Sequence, residues 1–188
     1  MLDRDGAIAL WRQHNSDESL FRHALSVEAA MRHFAIRNGE DPGYWGLVGL
    51  LHDIDYGAFP EEHLQHARTM LQAAGLPEAF IRSVESHGWG LCSSVEPLSI
   101  MEKTLFAVDE LTGFIAACAF VRPSRSVLDM EVKSVRKKWG SAAFAAGVNR
   151  AVIEKGAAML GMSLDELIQE TILALRGAAE AVGLKGTL

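Results

Sequence analysis

The sequence has no apolar run near the roughly 18 residues of a membrane span. The longest candidate, Leu111 to Val121, is too short and is interrupted by Thr112 and Gly113. Cysteine is scarce: Cys92 and Cys118 form neither a CxxC nor a paired zinc motif. Both are expected to be reduced and partly buried, as suits a cytoplasmic protein. The amino-terminal stretch MLDRDGAIALWRQHN carries early acids and no long apolar core, which argues against a secretory signal. An excess of positive charge is missing as well, and the net charge of −6 argues against general nucleic-acid binding. There is no GxSxG nucleophile motif, no internal repeat, no low-complexity linker and no run that alternates with period two.

What is present is a chain of 188 residues with 49% hydrophobic content, ample for one buried core without a disulfide. Apolar residues recur at three- and four-residue spacing throughout, so the fold class is all-α. Helices are predicted over about Arg4 to His14, from Ser16 or Asp17 to Arg37, and from Pro42 to about Leu51–Asp53. Further helices are predicted from Pro60 to Gly75, Pro77 to His87, Pro97 to Ala119 and Val127 to Trp139. The last two run from Asn149 to Leu160 and from Leu164 to Val182, where Ser163 and Glu166 have the spacing of a capping box. The whole chain, 1–188, reads as one domain with a core over about 16–138 and a helical extension over 140–188. One stretch departs from the acidic balance: Arg122, Arg125, Lys133, Arg136, Lys137 and Lys138 lie within seventeen residues. Such a run is either a solvated helix face or an attractor for an anionic substrate.

The chemistry-bearing residues sit on the helices in an ordered way. His23 is mid-helix in LFRHALSVEAAM, His52-Asp53 ends the apolar run WGLVGLLHDID, and Asp109 lies inside LFAVDELTGF. An unpartnered carboxylate in the apolar setting of Asp109 would cost several kcal/mol (roughly 2–7 for a polar group, more for a charge) or be protonated. A divalent cation removes that difficulty and also binds neutral imidazole. Adjacent residues on a helix point about 100° apart, so His52 and Asp53 reach one ion only near a helix end, which Asp55, Tyr56 and Gly57 suggest. One metal held by His23, His52, Asp53 and Asp109 would keep positions open for water and substrate, as catalysis requires. His14 and His33 lack such a context and are assigned to the surface, and Trp89 either packs its loop or stacks on a substrate ring.

The order His23, LLHD, a histidine near the next helix start, SHG and VDELTG resembles the HD superfamily of metal-dependent phosphohydrolases, over about residues 16–138. More narrowly, the chain is similar to a group of small prokaryotic HD-domain hydrolases in which runs like GLLHDIDY, FPEEH, SHGWG, AVDELTG and VRPS recur. The resemblance implies an HD-domain helical bundle with extra carboxy-terminal helices, and the mononuclear set His23, His52, Asp53 and Asp109. Members with two metals add two histidines. His87 matches one of them, although some relatives have a second histidine where this chain has Gly88. His63 and His66 compete for the other. The family spacing favours His63, which is followed by Ala67, Met70 and Leu71 at the small and apolar positions, with His66 on about the same face. Asp53 would then bridge two ions, and an imidazole-rich set favours Fe, Mn or Zn over Mg.

The function this resemblance implies is hydrolysis of a small phosphorylated metabolite or nucleotide by metal-activated water. Arg22, Arg122, Lys133, Arg136 and Lys137 are candidates for holding the phosphate, and Asp55 is a candidate acid or base. The same inventory also resembles the mixed-valent di-iron oxygenases of the HD fold, which activate O₂. A low-turnover ligand-sensing module is a third reading, disfavoured because the inferred metal set is complete apart from the Gly88 position. The carboxy-terminal helices are compatible with covering the site or with a homodimer.

Overall fold

The computed structural model describes residues 2–188, and among these it contains nine α-helices and no strand. The first three follow the punctuation closely. Helix α1 (Arg4–His14) is capped by Asp3, whose side chain accepts from the Gly6 N–H. Helix α2 (Glu18–Asn38) is capped by Asp17 and stops at Gly39, and α3 (Pro42–Leu51) starts on Asp41 with proline in its first turn. Helices α2 and α3 lie close together because Gly49 faces α2. A Cβ at that position would lie 2.9 Å from the Val27 carbonyl oxygen.

The helix expected from Pro60 to Gly75 is divided. A 3₁₀ turn at Pro60–Glu62 is followed by an extended His63 and by Leu64 at φ 68°, and α4 begins only at Ala67 and runs to Ala73. The cause is Asp55. Its Oδ2 accepts from the backbone N–H groups of His66 at 3.1 Å and Ala67 at 3.0 Å. In a continuous helix those donors would bond carbonyls four residues back. Helix α5 (Glu78–Ser86) ends at His87.

Helix α6 (Ile100–Phe120) starts three residues later than Pro97, on a capping box between Ser99 and Glu102 that satisfies two amides reciprocally. The basic helix α7 is shorter than expected, Val132–Trp139. Its anticipated first turn is drawn into other bonds: the Val127 N–H goes to the Leu184 carbonyl, and Arg176 donates to the carbonyls of Val127 and Met130. Helix α8 (Arg150–Met159) and helix α9 (Leu164–Gly177) complete the set. At the start of α9, Ser163 accepts from the Glu166 N–H, but the Glu166 carboxylate is bonded to Arg37 of α2, so the expected box is only half formed.

Helix α6 lies at the centre and touches α2, α5, α7, α8 and α9. Buried apolar residues from Ala7 to Leu184 join one cluster around it, including Met31, Phe34, Leu51, Phe80, Leu105, Phe114, Ile153 and Ile172. Residues 140–188 therefore contribute to the same core as the preceding helices. No helix among the described residues is long and apolar enough to cross a membrane.

Candidate metal centre

Five elements bring their chemistry-bearing residues to one place. His23 comes from the second turn of α2, His52 and Asp53 from the end of α3, and His63 from the stretch before α4. His87 comes from the end of α5 and Asp109 from α6. Helix ends let consecutive residues escape the helical fan, which is why the adjacent His52 and Asp53 reach a common point. His52 Nε2 lies 3.2 Å from Asp53 Oδ2 and 3.3 Å from Asp109 Oδ1. His23 Nε2 is 3.0 Å from Asp109 Oδ1 and 3.7 Å from Asp53 Oδ2. On the other side, Asp53 Oδ1 is 3.3 Å from His63 Nε2 and 3.5 Å from His87 Nε2, and those two nitrogens face each other at 3.1 Å. Asp53 thus turns one oxygen to each half of the cluster.

Three of the histidines are oriented by their far nitrogens. His52 Nδ1–H donates to the Gly49 carbonyl at 2.7 Å and His87 Nδ1–H to the Val84 carbonyl at 2.6 Å. His63 Nδ1–H donates to Asp55 Oδ1 at 3.0 Å. Each bond leaves Nε2 as the inward atom, the arrangement that fixes a metal-binding tautomer. The His52 ring is fully buried, yet its Nε2 has no hydrogen-bond partner of good geometry. An orphaned buried nitrogen costs about 1–3 kcal/mol, and an ion at that point would remove the penalty. His23, His52 and Asp109, and likewise His52, Asp53 and His87, each offer ligand atoms within 4.8 Å of one another. The donors present therefore fit a metal, and their imidazole-rich chemistry fits a transition ion.

The electrostatics follow from this crowding. Burial raises the carboxyl of Asp109, but His52 and His23 outweigh it and hold the group far below the usual carboxylate range. Asp53 is held low in the same way, against burial, by His52 and His87. Burial lowers the imidazolium of His52, and Asp53 with Asp109 raise it well above the usual histidine value. For His63, burial again lowers, while Asp55 and then Asp53 raise it to a net upward shift.

The cluster opens into a cleft of about 310 Å³ lined also by Leu20, Tyr56, Leu91, Cys92, Glu110 and Val148. Glu110 went unnoticed in the sequence. The only signal was a second acid in the apolar run around Asp109. Its carboxyl is pushed up to about 7, by burial and then by Asp109, and its Oε2 accepts from the Asn149 N–H at 3.2 Å. A Cβ at Gly88 would lie 2.6 Å from Cys92 Sγ and 2.5 Å from Leu64 Cδ1, so the loop after α5 and the stretch before α4 together occupy the space of any side chain there.

Other expected residues stand elsewhere. His66 turns its ring outward, bonding Glu62 at 2.6 Å and stacking on Phe59, so His63 is the histidine at the cluster. Asp55 is fully buried and does not line the cleft. Its oxygens are taken by His63 and two backbone amides, and against burial these hold its carboxyl low. Arg122 is tied to Asp129 at 2.7 Å, Lys133 to Glu131 at 2.6 Å and Arg136 to Asp165 at 3.3 Å. Neither these three nor Lys137 lines the cleft, and the acids that pair with the three lie outside its lining. Arg22 lines a neighbouring pocket of about 280 Å³ that shares His23 and Gly113 with the cleft. Trp89 packs its loop, with the Lys155 ammonium 3.4 Å above its ring. Cys118 is buried as expected, but Cys92 is exposed.

No curated protein and no solved structure matches the chain. A family model described as HD domain matches residues 20–112, a span that takes in all six residues of the cluster. The chain belongs to the HD-domain superfamily.

Proposed function

We propose that this HD-domain protein is a metal-dependent phosphohydrolase acting on a small phosphorylated metabolite or nucleotide. HD domains bind divalent metals, and the family consists mostly of metal-dependent phosphohydrolases. The observation that carries the proposal is the division of Asp53, with Oδ2 toward His52 and His23 and Oδ1 toward His63 and His87. That division would let Asp53 serve as a ligand in both halves of the cluster, for Fe, Mn or Zn in preference to Mg.

His23, His52, Asp53 and Asp109 would hold one ion, and Asp53, His63 and His87 the other. Bound divalent ions acidify water for attack at phosphorus and neutralise phosphoryl charge. The chain itself sets the donors. The Gly49 and Val84 carbonyls and the Asp55 carboxylate each accept a proton-bearing Nδ1, which aims Nε2 at the centre. Asp55 is thus a positioning residue for His63 in this reading, and the basic run of α7 has no part in it. Leu20, Leu91, Val148 and Val152 flank the centre with apolar surface, which limits competing water. A cytoplasmic setting belongs to the proposal, since an exposed thiol such as Cys92 stays reduced there.

The test is to purify the protein with and without oxygen, measure its metals, and screen phosphorylated metabolites and nucleotides for phosphate release. Release that depends on the metal is expected, and His52→Ala and Asp109→Ala should lose metal while remaining folded by circular dichroism. Iron content with oxygen-dependent substrate loss and no phosphate release would overturn hydrolysis in favour of oxygenase chemistry. Full metal content in both variants would overturn the ligand assignment.

A further inference from the structure

The lining of the cleft carries information about the substrate beyond its phosphate. Among the described residues, no lysine or arginine lines it. Its ionisable groups are His23, His63 and His87 with Asp53, Asp109 and Glu110, together with Tyr56 and Cys92. Divalent cations at the cluster would offset Asp53, Asp109 and one phosphoryl group. Nothing else in the cleft is built to offset further negative charge. Recognition of polyphosphates ordinarily uses arginine forks, lysines or helix amides, so a nucleoside triphosphate fits this cleft poorly.

Glu110 adds a positive criterion. It follows Asp109 on α6, so its side chain leaves the helix about 100° away from that of the metal-facing aspartate. It borders the part of the cleft lined by Gly147, Val148 and Val152. One oxygen, Oε2, is anchored by the Asn149 N–H at the start of α8. The other, Oε1, has no protein partner among the described residues. An anchored carboxylate with one available oxygen, beside apolar walls, is an acceptor waiting for a donor.

We infer that Glu110 is a specificity-determining residue that selects a phosphate ester whose organic part carries an ammonium group. This rests on the phosphohydrolase reading for the position of the phosphate. It deepens that reading by naming the substrate class: a cationic alkyl monophosphate, with the phosphate at the cluster and the ammonium at Glu110. A substrate with a carboxylate or a second phosphate at the same distance would bring no donor to the available oxygen of Glu110.

The test uses Mn²⁺-loaded protein and three propylphosphonates that end in an ammonium, a hydroxyl or a carboxylate. They contain no ester to cleave, so calorimetry reads binding alone. The ammonium compound should bind at least about tenfold more tightly than the carboxylate compound, and Glu110→Gln should reduce that ratio to about twofold or less. Glutamine keeps an oxygen for the Asn149 N–H, so the α6–α8 contact survives, and an unchanged melting curve verifies it. Equal affinities in the wild type, an unchanged ratio in Glu110→Gln, or no binding of any of the three would overturn the inference. The two proposals fail separately. Selectivity without phosphate release from any ester removes hydrolysis and keeps Glu110, whereas phosphate release without selectivity does the reverse.

Discussion

Glu102 is a buried carboxylate remote from the cleft, with one oxygen accepting from the Leu98 and Ser99 amides at 2.7 and 2.9 Å and the other paired with Arg82. Burial raises its carboxyl, but the two amides and Arg82 together bring it below the usual glutamate range. A depressed folded-state value stabilises the fold above the unfolded value of about 4.3, and that contribution disappears as pH falls through the folded value. Glu102→Gln should therefore cost roughly 2 kcal/mol at neutral pH. The gap to wild type should narrow below about pH 4.3, as measured by urea unfolding across pH. A gap that widened in acid would contradict the assignment. Other single residues were unequally legible in the sequence. His23, His52, Asp53 and Asp109 stood out because imidazoles and carboxylates in apolar helical runs need partners, and those partners turned out to be one another. For Asp55 the sequence suggests a helix end and a candidate acid or base. Its bonds to His63 and to two amides join residues eight to twelve positions apart, and no local pattern announces them.

At the scale of the element, helix starts were the most legible feature wherever a side chain caps them, as Asp3, Asp17 and Asp41 do. Errors fell where tertiary bonds drew the backbone out of its local preference, at His66–Ala67 by Asp55 and at Val127–Met130 by Arg176 and Leu184. Helix α3 ties element geometry to chemistry most tightly. Gly49 admits the Val27 backbone, and its own carbonyl orients His52. Gly49→Ala would add a Cβ against backbone that cannot move aside as a side chain can. The expected cost is about 1–3 kcal/mol, and the melting temperature should fall by roughly 2–4 °C per kcal/mol. Metal content should fall as well, because α3 carries His52 and Asp53. A variant as stable and as metal-replete as wild type would mean that the α2–α3 approach has slack.

For the whole molecule, the all-helical class and the order of the helices were readable from periodicity and caps, whereas the cleft was not. Its walls combine α2, the segments that follow α3 and α5, α6, α8 and the stretch before α8, and only the folding back of residues 140–188 onto α6 brings Val148 and Val152 there. Arg122 pairs with Asp129 seven residues on and Arg136 with Asp165 of α9, and neither arginine lines the cleft. The two halves of the cluster also differ in footing. His23, His52 and Asp109 stand on or at the ends of helices. His63 stands on non-helical backbone next to Leu64 at φ 68°, a left-handed conformation that a branched residue adopts only under constraint. If two ions bind as proposed, this difference would set an order of events in time. The helical half should fill first and release its ion slowly, while the half that contains His63 fills second and exchanges readily. Titration of metal-free protein with Mn²⁺ should then resolve two steps. Asp55→Asn should weaken the second by roughly 10–100-fold and spare the first. A single step, or equal weakening of both, would mean that the halves load together. With staged loading, the supply of metal in the cell would set how much of the protein is fully charged at any moment, and the strained turn at Leu64 would be where that adjustment is made.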